Sequence, residues 1–181
     1  MNIEYSNLFK ICLIGDSASG KTSIIKQFVD EEYTLDTSST IGIDFKIVSF
    51  NISNSTYIKM QIWDTCGSER FKSLTASFLK SCSAFILVFD LTRKKTLLNI
   101  ECWINTVKEN TIPKFMILIG NKSDLKEQRE VNNNDVLEIC KKYSLNYIES
   151  SAKSNENIEI IFKIVVNQLL NTTKIETTDK N

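Results

Sequence analysis

The sequence predicts an α/β domain: a six-stranded, mostly parallel sheet with one antiparallel edge strand and helices on both faces. Three observations carry this. Apolar stretches alternate with helix-periodic ones along most of the 181 residues, the pattern of an open sheet with crossover helices. Asn54-Ser55 joins two neighbouring strand-like runs and marks a hairpin, hence one antiparallel pair. Gly15-Asp-Ser-Ala-Ser-Gly20-Lys21-Thr22 fits G-x-x-x-x-G-K-[ST], the phosphate-binding loop, and lies between a strand-like and a helical run.

Taken in order, strands are expected near 8–14, 43–52, 56–63, 84–90, 114–120 and 146–149, the first apolar enough to be buried. Helices are expected near 20–30, 93–110, 132–142 and 155–171, with a short one possible near 70–80. In the first helix Ile24, Ile25 and Phe28 recur at helical spacing. Asn132 followed three residues on by Asp135 has the form of a helix cap. In the last helix Ile158, Ile161, Phe162, Val165, Val166 and Leu169 form one apolar stripe, read as core. Segments 31–42 and 65–78 lack periodicity and flank the hairpin. Residues 1–171 read as one domain, and 172–181 as a polar, disordered tail.

Composition narrows the chemistry. Lys plus Arg balance Asp plus Glu at 22 each, which argues against a broad nucleic-acid-binding face. The chain has no histidine, so it holds no Ser-His or Cys-His nucleophile pair and no His-ligated metal. Five cysteines show no C-x-x-C spacing and mostly lie in apolar runs, as reduced core thiols of a cytoplasmic protein do. No apolar run is long enough to span a bilayer.

Four motifs then carry a nucleotide site. A strand, a glycine-bounded turn and a helix aim successive N–H groups at one point, and the helix dipole adds to them, so the first motif binds an anion. Lys21 would reach the β- and γ-phosphates, and the Thr22 hydroxyl would bind Mg²⁺. The second motif, Met60-Gln-Ile-Trp-Asp64-Thr-Cys-Gly67, is an apolar strand ending in a carboxylate. Asp64 would hold Mg²⁺ through water, and Gly67 would bring its N–H to the γ-phosphate. The third, Asn121-Lys122-Ser123-Asp124, chooses the base. A carboxylate accepts from guanine N1–H and its 2-amino group, whereas adenine offers no donors there. A site built on such bonds discriminates by roughly 10⁴–10⁵. The fourth, Ser150-Ser151-Ala152-Lys153, offers a backbone N–H to the guanine 6-oxo group and a lysine to stack on the ring.

The order of these motifs resembles the Ras superfamily of small GTPases, and most closely its Rab branch. Ile41-Gly-Ile-Asp-Phe45 and Lys59-Met-Gln-Ile-Trp-Asp-Thr65 look like the Rab segments beside the two switches, and Phe45, Trp63 and Phe78 like the aromatic triad that Rab effectors read. The resemblance implies a P-loop NTPase G domain binding GTP or GDP with Mg²⁺. The nucleotide ligands it implies are Asp16, Ser17, Ala18, Ser19, Gly20, Lys21, Thr22, Ser23, Tyr33, Thr40, Gly67, Asn121, Lys122, Asp124, Ser151, Ala152 and Lys153. The metal ligands are Thr22, Thr40 and Asp64, and the catalytic set is Lys21, Thr40, Gly67 and Ser68. Loss of the γ-phosphate would release Thr40 and Gly67, and both flanking loops would relax.

The chain departs from that pattern in places. Ser68 stands where the family usually has the Gln that orients the attacking water, which predicts slow intrinsic hydrolysis. The alternatives are a GTPase-activating protein that supplies both Arg and Gln, or a pseudo-GTPase that holds GTP and recruits effectors without meaningful turnover. A P-loop kinase would need an arginine-rich lid, and the chain has only Arg70, Arg93 and Arg129. Ala18 and Ser19 replace Gly and Val; Ala18 would be accepted with φ below zero. Thr37, Cys66 and Phe78-Leu-Lys-Ser81 are also atypical. Effectors are expected on residues 37–45 and 63–78, with an exchange factor and a GTPase-activating protein as further partners, and the protein acting as a monomer. The last cysteine is Cys140, so the expected location is cytoplasmic. It becomes peripheral on endomembranes only if a lipidated tail lies beyond these residues.

Overall fold

The computed structural model describes residues 5–34, 42–53, 56–66 and 78–178. The chain folds into β1 (Tyr5–Ile14), α1 (Lys21–Asp30), β2 (Ile43–Ser53), β3 (Thr56–Thr65), β4 (Ala84–Asp90), α2 (Lys94–Leu98), α3 (Ile100–Asn110), β5 (Phe115–Asn121), α4 (Asn133–Tyr143), β6 (Asn146–Ser150) and α5 (Ile158–Thr178). The six strands lie in the order β2-β3-β1-β4-β5-β6. β2 and β3 are antiparallel, with Ser53 opposite Thr56 across the expected hairpin. The other neighbours run parallel.

Alternation along the central strands divides the core in two. Phe9, Ile11 and Leu13 face one side, where α1 and α5 pack. Cys12 and Ile14 face the other, with Leu97, Ile104 and Val136 of the helices opposite. Because the strand period is two, this single alternation fixes which helix covers which face. β4 is buried along its whole length, as a parallel strand covered on both faces must be. The stripe from Ile158 to Leu169 is buried throughout, and Phe162 stacks on Phe28 of α1 with centroids 3.9 Å apart.

Two expected elements differ. The helix expected over 93–110 is divided at Asn99. Asn99 keeps right-handed geometry (φ −75°, ψ −11°), so the two pieces run on from one another. The last helix does not stop at Asn171 but continues to Thr178, into the stretch expected to be disordered. The expected cap is present: Asn132 Oδ1 accepts the Asp135 N–H at 2.9 Å. The thiols correct the expectation of a mostly buried set, since of the five only Cys12 and Cys82 are buried and Cys102 is exposed.

Candidate functional site

The site forms at the carboxyl ends of the parallel strands, where loops converge and ligands bind in open sheets. β1 runs straight into the phosphate loop. Gly15 has φ 146°, and a Cβ there would lie 2.0 Å from the Val88 carbonyl oxygen. Gly20 has φ 95°, and its Cβ would lie 2.0 Å from Asn121 Nδ2. Both glycines are thus needed for close backbone approach as well as for conformation. Gly20 also caps α1, with no side-chain cap and no acidic residue in the first turn. The leading N–H groups of α1 therefore keep their positive end open toward an anion.

Ala18 corrects the sequence expectation. Its φ is 59°, in the left-handed region, rather than below zero. The turn demands that geometry whichever residue fills it, and an L side chain there costs about 1–2 kcal/mol. Ser19 adds a second penalty. It is fully buried, and its hydroxyl has no hydrogen-bond partner among the described residues.

Lys21 lies beneath this loop, 4% exposed. Its Nζ donates to Gly15 O and Asp16 O, both at 2.9 Å. Burial pushes its pKa down to about 8, against the opposing pull of Asp64 and Asp16. Lys21 stays mostly charged at neutral pH, and an arriving phosphate would favour the charged form further. Beside it, the Thr22 hydroxyl donates to Asp64 Oδ2 at 2.6 Å. This hydroxyl and carboxylate are an all-oxygen donor set, the kind that Mg²⁺ takes. Cys66 N–H donates to Gly42 O at 3.2 Å, so the chain positions that adjoin Gly67 and Ile41 lie together at the end of β3. Thr40, Gly67 and Ser68 themselves, with Thr37, lie outside the described residues.

A cleft opens next to the loop, lined by Gly20, Ser23, Tyr33, Asn121, Lys122, Asp124, Leu125, Ala152 and Lys153. It gathers the first, third and fourth motifs from three separate strand ends. Asn121 is buried and donates from Nδ2 to Ser19 O at 2.9 Å, tying the base loop to the phosphate loop. Asp124 is oriented by the Ser151 hydroxyl, which donates to its Oδ1 at 2.6 Å. The Ser123 hydroxyl in turn donates to Glu156 at 2.6 Å, and Glu156 and Ser151 pair through both backbone groups.

Four residues that sequence reasoning missed hold this arrangement in place. Asp90, at the carboxyl end of β4, has a side chain only 1% exposed. Its Oδ2 accepts from Lys122 Nζ at 2.6 Å and from Arg93 Nε at 2.9 Å. Arg93 then reaches Ser17 O at 3.0 Å. The Asp16 carboxylate is engaged by Asn99 Nδ2 (2.7 Å) and Trp103 Nε1 (2.8 Å). A carboxylate ending an apolar strand is the signal that revealed Asp64, and it would have revealed Asp90. Nothing in the sequence pointed to Asn99 or Trp103.

An anion loop, a lysine, an oxygen pair and a base cleft on one edge of such a sheet are the arrangement of the P-loop GTP-binding class. Comparison with known proteins narrows that class. The Ras family model matches residues 10–171. The chain is 38% identical over 92% of its length to Ras-related protein Rab-11A of Dictyostelium discoideum, covering 78% of that protein. It is 42% identical to Ras-related protein Rab-1 of Theileria parva and 37% identical to Ras-related protein Rab-13 of Canis lupus familiaris, covering 76% and 82% of them. The chain belongs to the Ras family of small GTPases, in its Rab branch.

Proposed function

We propose that this protein is a Rab-type switch of vesicle traffic that binds GTP or GDP with Mg²⁺ and hydrolyses GTP slowly. The observation that carries the reading is Asp124, fixed by Ser151 in a cleft shared with the phosphate loop. A carboxylate so placed accepts the two donors of guanine, whereas adenine offers it none.

The chain's own groups divide the work. The open N–H groups of α1 and Lys21 bind the phosphates and neutralise charge that develops on the γ-phosphoryl oxygens. Thr22 and Asp64 would hold Mg²⁺, which would supply positive charge against the negative charge of the phosphates. Thr40, in the role the family assigns it, orients water through its carbonyl for in-line attack. Ser68 is too short to add the contact a Gln makes, and loss of one such contact slows the step on the order of 10²–10³-fold. Phe45, Trp63 and Phe78 form a continuous aromatic patch, with centroids 4.9 Å and 5.8 Å apart, and present the effector surface. The protein acts as a monomer that an exchange factor and a GTPase-activating protein drive between states, and a lipidated tail, where present, would hold it on a membrane.

Chromatography of the nucleotide released from purified protein tests the base, and single-turnover hydrolysis tests Ser68. The expected results are guanine nucleotide that equimolar ATP does not displace, and at least tenfold faster hydrolysis in Ser68→Gln. Displacement by ATP would overturn the assignment of the base. A wild-type rate in Ser68→Gln would overturn the role of Ser68, and the absence of turnover in both would favour a binding module.

A further inference from the structure

An acidic side chain is out of place in a loop built to bind phosphate. Asp16 follows Gly15 directly, inside the motif whose N–H groups and lysine collect negative charge. Its carbonyl accepts from Lys21 at 2.9 Å, so its backbone belongs to the phosphate site. Its carboxylate does not. Both oxygens are turned to the helical segment behind the loop, Oδ2 to Asn99 and Oδ1 to Trp103. Asn99 and Trp103 stand four residues apart, so they share one helix face and address the two oxygens separately. The Trp103 N–H donates to the Asn99 partner's other oxygen from a ring packed into the core below α3.

We infer that Asn99 and Trp103 are positioning residues that set how long the nucleotide stays bound, acting through Asp16 on the phosphate loop. The inference rests on the guanine-nucleotide reading above. The loop needs such a brace. Ala18 holds a left-handed φ of 59°, and the buried Ser19 hydroxyl has no partner among the described residues. Both weaken the turn that must keep its N–H groups aimed. Two hydrogen bonds to an ionised acceptor, each stronger than a neutral pair, hold the first residue of the turn to a rigid helix. They also hold a negative charge away from the phosphates. Without them the loop samples other conformations, the carboxylate swings toward the ligand, and release accelerates.

The test is release of a fluorescent N-methylanthraniloyl-GDP, chased with excess GDP at fixed Mg²⁺, at a temperature well below the melting point of every variant. Asn99→Asp places a carboxylate against a carboxylate and is expected to speed release at least tenfold. Asp16→Asn in the same chain exchanges donor and acceptor, because an amide at position 16 donates to a carboxylate at 99 and still accepts from Trp103. The double variant is therefore expected to return to within about threefold of wild type. Trp103→Phe, which keeps the ring and removes the N–H, is expected to speed release severalfold. A residue that only stabilised the fold would lower the melting temperature of the double variant and would not restore its release rate. Wild-type release in Asn99→Asp, or a double variant as fast as Asn99→Asp alone, overturns the brace and leaves the guanine-nucleotide reading standing. A wild-type protein that does not retain the labelled GDP overturns both.

Discussion

The Thr22 hydroxyl and Asp64 Oδ2 lie 2.6 Å apart across 42 residues of chain. The pairing follows from register. β1 runs beside β3 with Leu13 opposite Asp64, so the end of one strand and the first turn after the other face the same point. The hydroxyl donating to the carboxylate sets side by side the two oxygens proposed above to hold Mg²⁺.

Removing either oxygen should uncouple the nucleotide from the metal. In Thr22→Ala and Asp64→Ala, chelation of Mg²⁺ is expected to change the GDP release rate less than about twofold, against tenfold or more in wild type. Each lost contact to a charged group is worth about 1.5–3 kcal/mol. Stopped-flow release with and without chelator checks this. A chelation effect of wild-type size in both variants would remove the pair from the metal site.

Ser19→Val should stabilise the protein. The serine is fully buried and its hydroxyl has no partner among the described residues, a situation that costs about 1–3 kcal/mol. Valine fills the position without a polar atom. The melting temperature is expected to rise by about 2–12 °C, since about 1 kcal/mol moves a domain of this size by about 2–4 °C. A melting temperature at or below that of wild type would refute the account of Ser19.

Asp90 should make stability fall in acid. Burial alone would raise its pKa, but hydrogen bonds from Lys122 and Thr92 hold it below the ordinary aspartate value. The unfolded chain therefore binds this proton first as pH falls. The contribution is complete above about pH 4, the ordinary aspartate value being about 3.9, and is lost as pH drops through the folded value. Asp90→Asn is expected to be less stable at neutral pH by about 1–3 kcal/mol and to show a flatter stability curve below pH 4. Denaturant titrations across that range decide it, and parallel curves for the two proteins would clear Asp90 of the effect.

What the sequence revealed was local or modular. The Asn132 cap, the hairpin and the stripe from Ile158 to Leu169 each depend on residues within a turn or two of one another, so spacing alone exposed them. The base and phosphate motifs were legible because their chemistry demands particular residue types in a fixed order. The brace was not legible, because Asn99 and Trp103 meet Asp16 across 83 and 87 residues. Either residue on a helix is ordinary until the fold brings the loop to it. Ala18 was misjudged for a related reason: its φ of 59° is imposed by the turn and not by the side chain. The extension of α5 to Thr178 was missed because its last residues carry no apolar periodicity, although a helix already nucleated by packing propagates at little cost.

The 2.0 Å that separates an imagined Cβ at position 20 from the Asn121 amide bears on how such a chain could change over generations. Glycine and asparagine here guard one another, because enlarging the first evicts the second from its bond to Ser19. Shortening the asparagine would lift the steric half of the demand for glycine. A descendant that stopped using nucleotides would then be free to change at both places together.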